Sequence, residues 1–127
     1  MDKRTRWYHG SPHDIRVLRE GSTITPWCDL ARVFSHKPTL VCISDDLRIR
    51  HNGELPGYLY QIDDTVGPDD VIPHPRTTMA PGDEWLTQRA LGLRLIGPTE
   101  IRSAETLSAT DITELLTHRS QDSCSQE

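Results

Sequence analysis

Cysteine is scarce. The chain of 127 residues has three, Cys28, Cys42 and Cys124, an odd number with no close pair. That does not fit a disulfide framework, and the expected compartment is a reducing one, the cytoplasm. Long apolar runs are lacking as well. No stretch approaches the roughly 18 residues of a membrane-spanning helix. The basic start Met1–Arg6 runs into Trp7-Tyr8-His9 without an apolar segment, so it does not read as a secretory signal. Positive charge is in deficit, with 14 Lys and Arg against 19 Asp and Glu and a net charge of −5. That excludes the basic footprint of a dedicated nucleic-acid binder. The deficit lies in the second half. Residues 1–50 carry nine basic and six acidic side chains, and residues 51–127 carry five and thirteen. Arg4, Arg6, Arg16, Arg19, Arg48 and Arg50 read as solvated surface, with a local basic patch as the alternative. Heptads, internal repeats, low-complexity tracts and zinc-ligand spacings are absent. His9 and His13 stand four apart, but no Glu accompanies them and Pro12 between them argues against a helix.

What is present is modest in size and rich in turns. Hydrophobic residues make up 35% of the chain, enough for one lean core. The length predicts a single domain over residues 1–119, followed by a frayed polar tail at 120–127. Eight Gly and nine Pro suggest short elements joined by many turns. Residues 6–11 read as a strand ending in a Gly turn. Thr25 and Pro26 suggest a helix N-cap and first position, with Leu30, Val33 and Phe34 on one apolar face and Pro38 as the stop. Thr39–Ser44 reads as a buried strand, and His51-Asn52-Gly53 as the turn of a hairpin. In Gly57–Ile62, alternation places Tyr58, Tyr60 and Ile62 on one face. Further strands are expected near 71–72, 84–87 and 93–97. A last helix near 111–118 would be capped by Ser108 or Thr110. The order implies an α+β fold, with strands too closely spaced for repeated parallel crossovers.

Three places could carry chemistry. In Tyr8-His9-Gly10-Ser11, an imidazole at a strand end suits sugar hydroxyls, and Gly10 lets a ligand approach the backbone. The alternative is an ordinary turn with a surface His. Tyr58 and Tyr60 could stack on a planar ligand or simply fill the core. In Gly82-Asp83-Glu84-Trp85-Leu86, acids follow a Gly turn and are backed by an aromatic. A carboxylate there could stabilise the oxocarbenium-like state of glycosidic bond cleavage, or be a solvent-facing turn acid.

Together the YHGS strand, the middle strand ending in Ser44 after a helix, and the late acidic strand start resemble the ADP-ribosyltransferase family. The likeness extends to the small rifampin-type transferases, whose Tyr-bearing strand and acidic Gly-Pro turn look similar to Gly57–Pro68 here. It covers residues 7–97, and its sharpest motif is the first. It implies a split-sheet core that binds NAD as substrate and needs no metal. His9 would hold a ribose hydroxyl, Gly10 the nicotinamide amide, and Ser11 the small-hydroxyl position. Glu84 would be the catalytic acid, with Asp83 its neighbour and Asp69 and Asp70 the competitors. Cys42 stands where the family pattern has Tyr, so stacking on nicotinamide falls to Tyr58, Tyr60 or Trp27. Arg76, Arg16 or Arg19 could pair with the pyrophosphate, the alternative for each being a solvent-exposed charge. The ADP-ribose acceptor is open: a protein, a nucleic acid, a small molecule or water. The alternatives are an NAD-dependent RNA 2′-phosphotransferase, a non-catalytic binding or inhibitor module of the same fold, and an α+β interaction domain unrelated to NAD.

Overall fold

Tyr8 is where two sheets meet, because its backbone exchanges hydrogen bonds of 2.8 and 3.0 Å with Thr25. The computed structural model describes residues 6–77 and 79–118; the tail expected at 120–127 lies outside them. The elements in order are β1 (Tyr8–Ser11), β2 (Val17–Leu18), β3 (Thr23–Ile24), α1 (Cys28–Phe34), β4 (Val41–Ile43) and β5 (Ile49–His51). Then come β6 (Gly57–Ile62), β7 (Val71–Pro73), β8 (Trp85–Thr87), β9 (Leu91–Thr99) and α2 (Ala109–His118). The fold is mixed α+β, with antiparallel ladders and few short helices. One sheet has the order β1-β6-β9-β2, a second β3-β8-β7, and β4 and β5 form a separate hairpin. No helix among the described residues is long and apolar enough to cross a membrane.

The core has two parts. Trp7, Leu18, Ile24, Ile62, Val71 and Leu91 pack between the two larger sheets, with Trp7 edge-on to Trp85 at 5.6 Å. Leu30 and Val33 of α1 pack with Ile49, flanked by Trp27, Phe34, Val41, Ile43 and Met79. The apolar face expected for α1 is therefore used, but the helix starts later than Thr25 and Pro26. Its N-cap is Trp27, with no side-chain cap, and Thr25 Oγ1 instead accepts from Trp27 N–H at 3.0 Å. Thr25 stays extended because its backbone is committed to Tyr8. At the other end of the chain, Ser108 and Asp111 cap α2 reciprocally at 3.0 and 3.1 Å.

The hairpin turn is also displaced from the expected one. It lies at Ser44–Arg48, with Leu47 in the left-handed region at φ 65°. Asn52 is not a turn residue; its Oδ1 accepts from Thr39 and Leu40 N–H, both at 2.9 Å. Gly53 is required by closeness, since a Cβ there would lie 2.7 Å from His36 Cβ and 2.8 Å from its carbonyl oxygen.

Beside Gly53 lies a buried polar network. Glu105 accepts from Arg32 Nη1 at 3.0 Å and from His51 Nε2 at 2.7 Å, tying the C-terminal segment to α1 and β5. Gly53 N–H donates to His51 Nδ1 at 3.0 Å, so this ring is neutral, with its proton on Nε2. His36 stacks on His51 at 5.5 Å and donates from Nδ1 to the Leu55 carbonyl. Burial holds the His51 pKa below its ordinary value; Glu105 opposes this, while His36 and Arg32 add to it. The unfolded chain has an ordinary His pKa of about 6.5. It therefore binds more protons than the native state once the pH drops below that value. Stability contributed by neutral His51 is present above about pH 6.5 and is lost as pH falls from there towards the lower folded pKa. The melting temperature is expected to fall between pH 7 and 5, before the carboxylates titrate. A flat profile over that range in a calorimetric series would contradict the buried neutral ring.

Candidate functional site

A cleft of about 340 Å³ opens where β1, β3, the end of α1 and the start of β8 converge. His9 and Gly10 line it from β1, Ser22, Thr23 and Thr25 from β3 and its flanks, Phe34 and Lys37 from the end of α1, and Glu84 from the residue before β8. The volume lies within the range of small-molecule sites. Of the residues expected to act together, His9, Gly10 and Glu84 do line one cavity, although 74 residues separate Gly10 from Glu84.

His9 is held by its Nδ1, which donates to the Thr23 carbonyl at 2.7 Å. Burial lowers its pKa; the bond to Thr23 opposes this and the Lys37 charge adds to it. The ring is thus neutral at pH 7, and its Nε2 lone pair is left to accept a hydrogen bond. Gly10 has a reason of its own. A Cβ at this position would sit 1.8 Å from the Ala31 carbonyl oxygen and 2.7 Å from Ser35 N, so β1 lies directly on the backbone of α1. Glu84 is half-buried and accepts from Thr77 Oγ1 at 2.5 Å, which fixes its carboxylate in the cleft wall.

The other residues singled out from the sequence lie elsewhere. Ser11 is buried, and its Oγ accepts from His13 N–H at 3.0 Å. Tyr60 is 1% exposed; its hydroxyl donates to the His13 carbonyl and accepts from Ile15 N–H, both at 2.9 Å, which anchors the chain after β1. Tyr58 is half-buried beside it, at 6.5 Å between ring centroids. The aromatic rings in the cleft wall are instead Tyr8 and Phe34. Arg76, Arg16 and Arg19 are exposed and outside the lining, where the cation is Lys37. Asp70 is engaged by Arg89 Nε at 2.9 Å and Gly67 N–H at 2.7 Å, and Asp69 is exposed. Asp83 and Trp27 line a second pocket, with Ile43, Ser44, Asp45, Leu47 and Ala80. Burial, and then the charge of Glu84, raise the Asp83 pKa.

Sequence reasoning missed Phe34 and Lys37 as cleft residues. The apolar spacing of α1 made Phe34 a core residue, which it also is, and Lys37, in the left-handed region at φ 54°, stands just past the helix end, where no local pattern marked it. Comparison with protein-family models, curated proteins and solved structures gave no match.

Proposed function

We propose that the protein is an NAD-dependent ADP-ribosyltransferase. The observation that carries this reading is the meeting of His9, Gly10 and Glu84 in one cleft between two sheets joined at Tyr8 and Thr25. A neutral imidazole, a side-chain-free strand segment and a fixed carboxylate suit a substrate with ribose hydroxyls, a planar amide and a bond that breaks towards positive charge.

In this reading His9 Nε2 accepts a hydrogen bond from a ribose hydroxyl, and the Gly10 backbone holds the nicotinamide amide. Tyr8 and Phe34 offer apolar ring surface to the pyridinium, and Lys37 offers charge to the pyrophosphate. The C1′–N bond breaks with both electrons on the ring nitrogen, so nicotinamide leaves neutral. Glu84 accepts from the 2′-hydroxyl and stabilises the oxocarbenium-like ribose. The acceptor then bonds to C1′ and loses its proton. The RNA 2′-phosphotransferase alternative needs a basic surround, and Lys37 is the one cation among the described lining residues.

The test is nicotinamide release from NAD, with and without a cell lysate, alongside thermal melting. NAD at a hundred times its Kd should raise the melting temperature by about 10 °C. His9→Ala should remove most of that shift, because it deletes the ring that the cleft holds rigid. Release that depends on lysate would indicate transfer to an acceptor, and release without lysate hydrolysis or self-modification. An NAD shift with no release in either tube would indicate the non-catalytic module. No shift and no release would refute the NAD reading.

A further inference from the structure

The second pocket is larger than the cleft, about 560 Å³ against about 340 Å³, and its chemistry differs. Trp27, Ile43, Leu47 and Ala80 give it apolar walls. The charges in its described lining are Asp45 and Asp83, both acidic. Arg48 and Arg50 line an adjoining depression with Asp46, and that depression shares Ser44 and Asp45 with the pocket.

Leu47 has no evident structural reason to be a leucine. It stands at the hairpin tip with φ 65°, a conformation that favours Gly or Asn, and 66% of it is exposed. Folding alone would favour a small or polar residue there. Leu47 instead lines the pocket together with Trp27 and Ile43.

The pocket and the cleft are lined by residues adjacent in sequence. Thr25 and Glu84 line the cleft, whereas Trp27 and Asp83, two residues and one residue away, line the pocket.

We infer that this pocket binds a small molecule with an apolar, ring-bearing body and a protonated nitrogen. The body packs against Trp27, Ile43 and Leu47, and the cation lies between Asp45 and Asp83. Two carboxylates and no cation among the described lining residues favour a cationic occupant over a phosphate, Arg48 and Arg50 lying in the adjoining depression. Resting on the transferase reading, this molecule is the acceptor. Its nucleophilic oxygen or nitrogen bonds to C1′ while nicotinamide leaves with the electron pair, and the displaced proton is released to water.

The experiment uses 4-phenylbutylamine as probe, with 4-phenylbutyrate as its anionic counterpart. Binding is followed on the Trp27 indole resonance, assigned with Trp27→Phe. The amine is expected to saturate this signal at least tenfold more tightly than the acid. Leu47→Asn and the pair Asp45→Asn, Asp83→Asn should each weaken it at least fivefold. Equal binding of amine and acid, or no saturation at millimolar amine, would overturn the inference, and both are read on the wild-type chain. Adding NAD should leave amine affinity within threefold; displacement would mean one shared cavity and would also overturn it. Amine binding without any NAD thermal shift would keep the pocket and remove the transferase reading. An NAD shift without amine binding would do the reverse.

Discussion

A Gly10→Ala chain is expected to melt about 10 °C below the wild type. The added methyl carbon would lie 1.8 Å from the Ala31 carbonyl oxygen and 2.7 Å from Ser35 N. Both are backbone atoms of α1 and its C-cap, so no side chain can rotate away. β1 would have to lift off the helix, and β1 also carries the ladder to β6 and the bridge to Thr25. Overpacking costs about 1–3 kcal/mol, and a clash with backbone atoms that cannot rotate away belongs at the upper end, about 3 kcal/mol. In a domain of this size that corresponds to about 10 °C. Gly97→Ala is the matched control, because nothing lies within 4 Å of a Cβ there. It should melt within about 3 °C of wild type. A Gly10→Ala protein that melts normally would show that β1 does not rest on α1. Its glycine would then have to be explained by a ligand alone.

This double reason for Gly10 shows what the sequence could disclose. A glycine after His9 reads as room for a ligand, but the neighbour that requires it, Ala31, is 21 residues away and its approach is a tertiary fact. β6 was legible at its full length, Gly57–Ile62, because Tyr58, Tyr60 and Ile62 recur within a short run bounded by turns. Its two faces were not. The ladder to β9 slips between Leu59 and Tyr60, so both are buried and strict alternation fails. With that slip Tyr60 takes the second of its two readings and fills the core, its hydroxyl bound to the backbone after β1. β9 was legible only in part. It runs from Leu91 through Gly97 and Pro98 to Thr99, across residues that read as breakers. Pro98 is tolerated where β9 pairs with β6 alone, β2 reaching only Leu91 and Gly92. In the cleft, His9, Gly10 and Glu84 were legible because each lies in a short local pattern. Lys37 and Phe34 enter it only because α1 folds back over β1, which no local pattern encodes.

Glu84→Gln is expected to lower nicotinamide release by about 10²–10³-fold while leaving the NAD-induced thermal shift in place. The substitution keeps the shape and an oxygen able to accept from Thr77 Oγ1. It also leaves the backbone bond from His74 N–H to the Glu84 carbonyl untouched. What it removes is the negative charge, which on the transferase reading counts most when positive charge moves from the pyridinium ring onto the ribose. Ground-state binding should therefore survive and turnover should not. Asp70→Asn is the contrasting variant. Its carboxylate lies outside the cleft lining and is engaged by Arg89 and Gly67 at the surface, so its loss should lower the melting temperature only slightly and leave nicotinamide release near wild type. The two variants separate the late acid from the acidic turn by kinetics, with melting as the control for folding. If Glu84→Gln turns over normally and Asp83→Asn does not, the working carboxylate faces the second pocket. The reacting carbon would then lie in the second pocket rather than in the cleft.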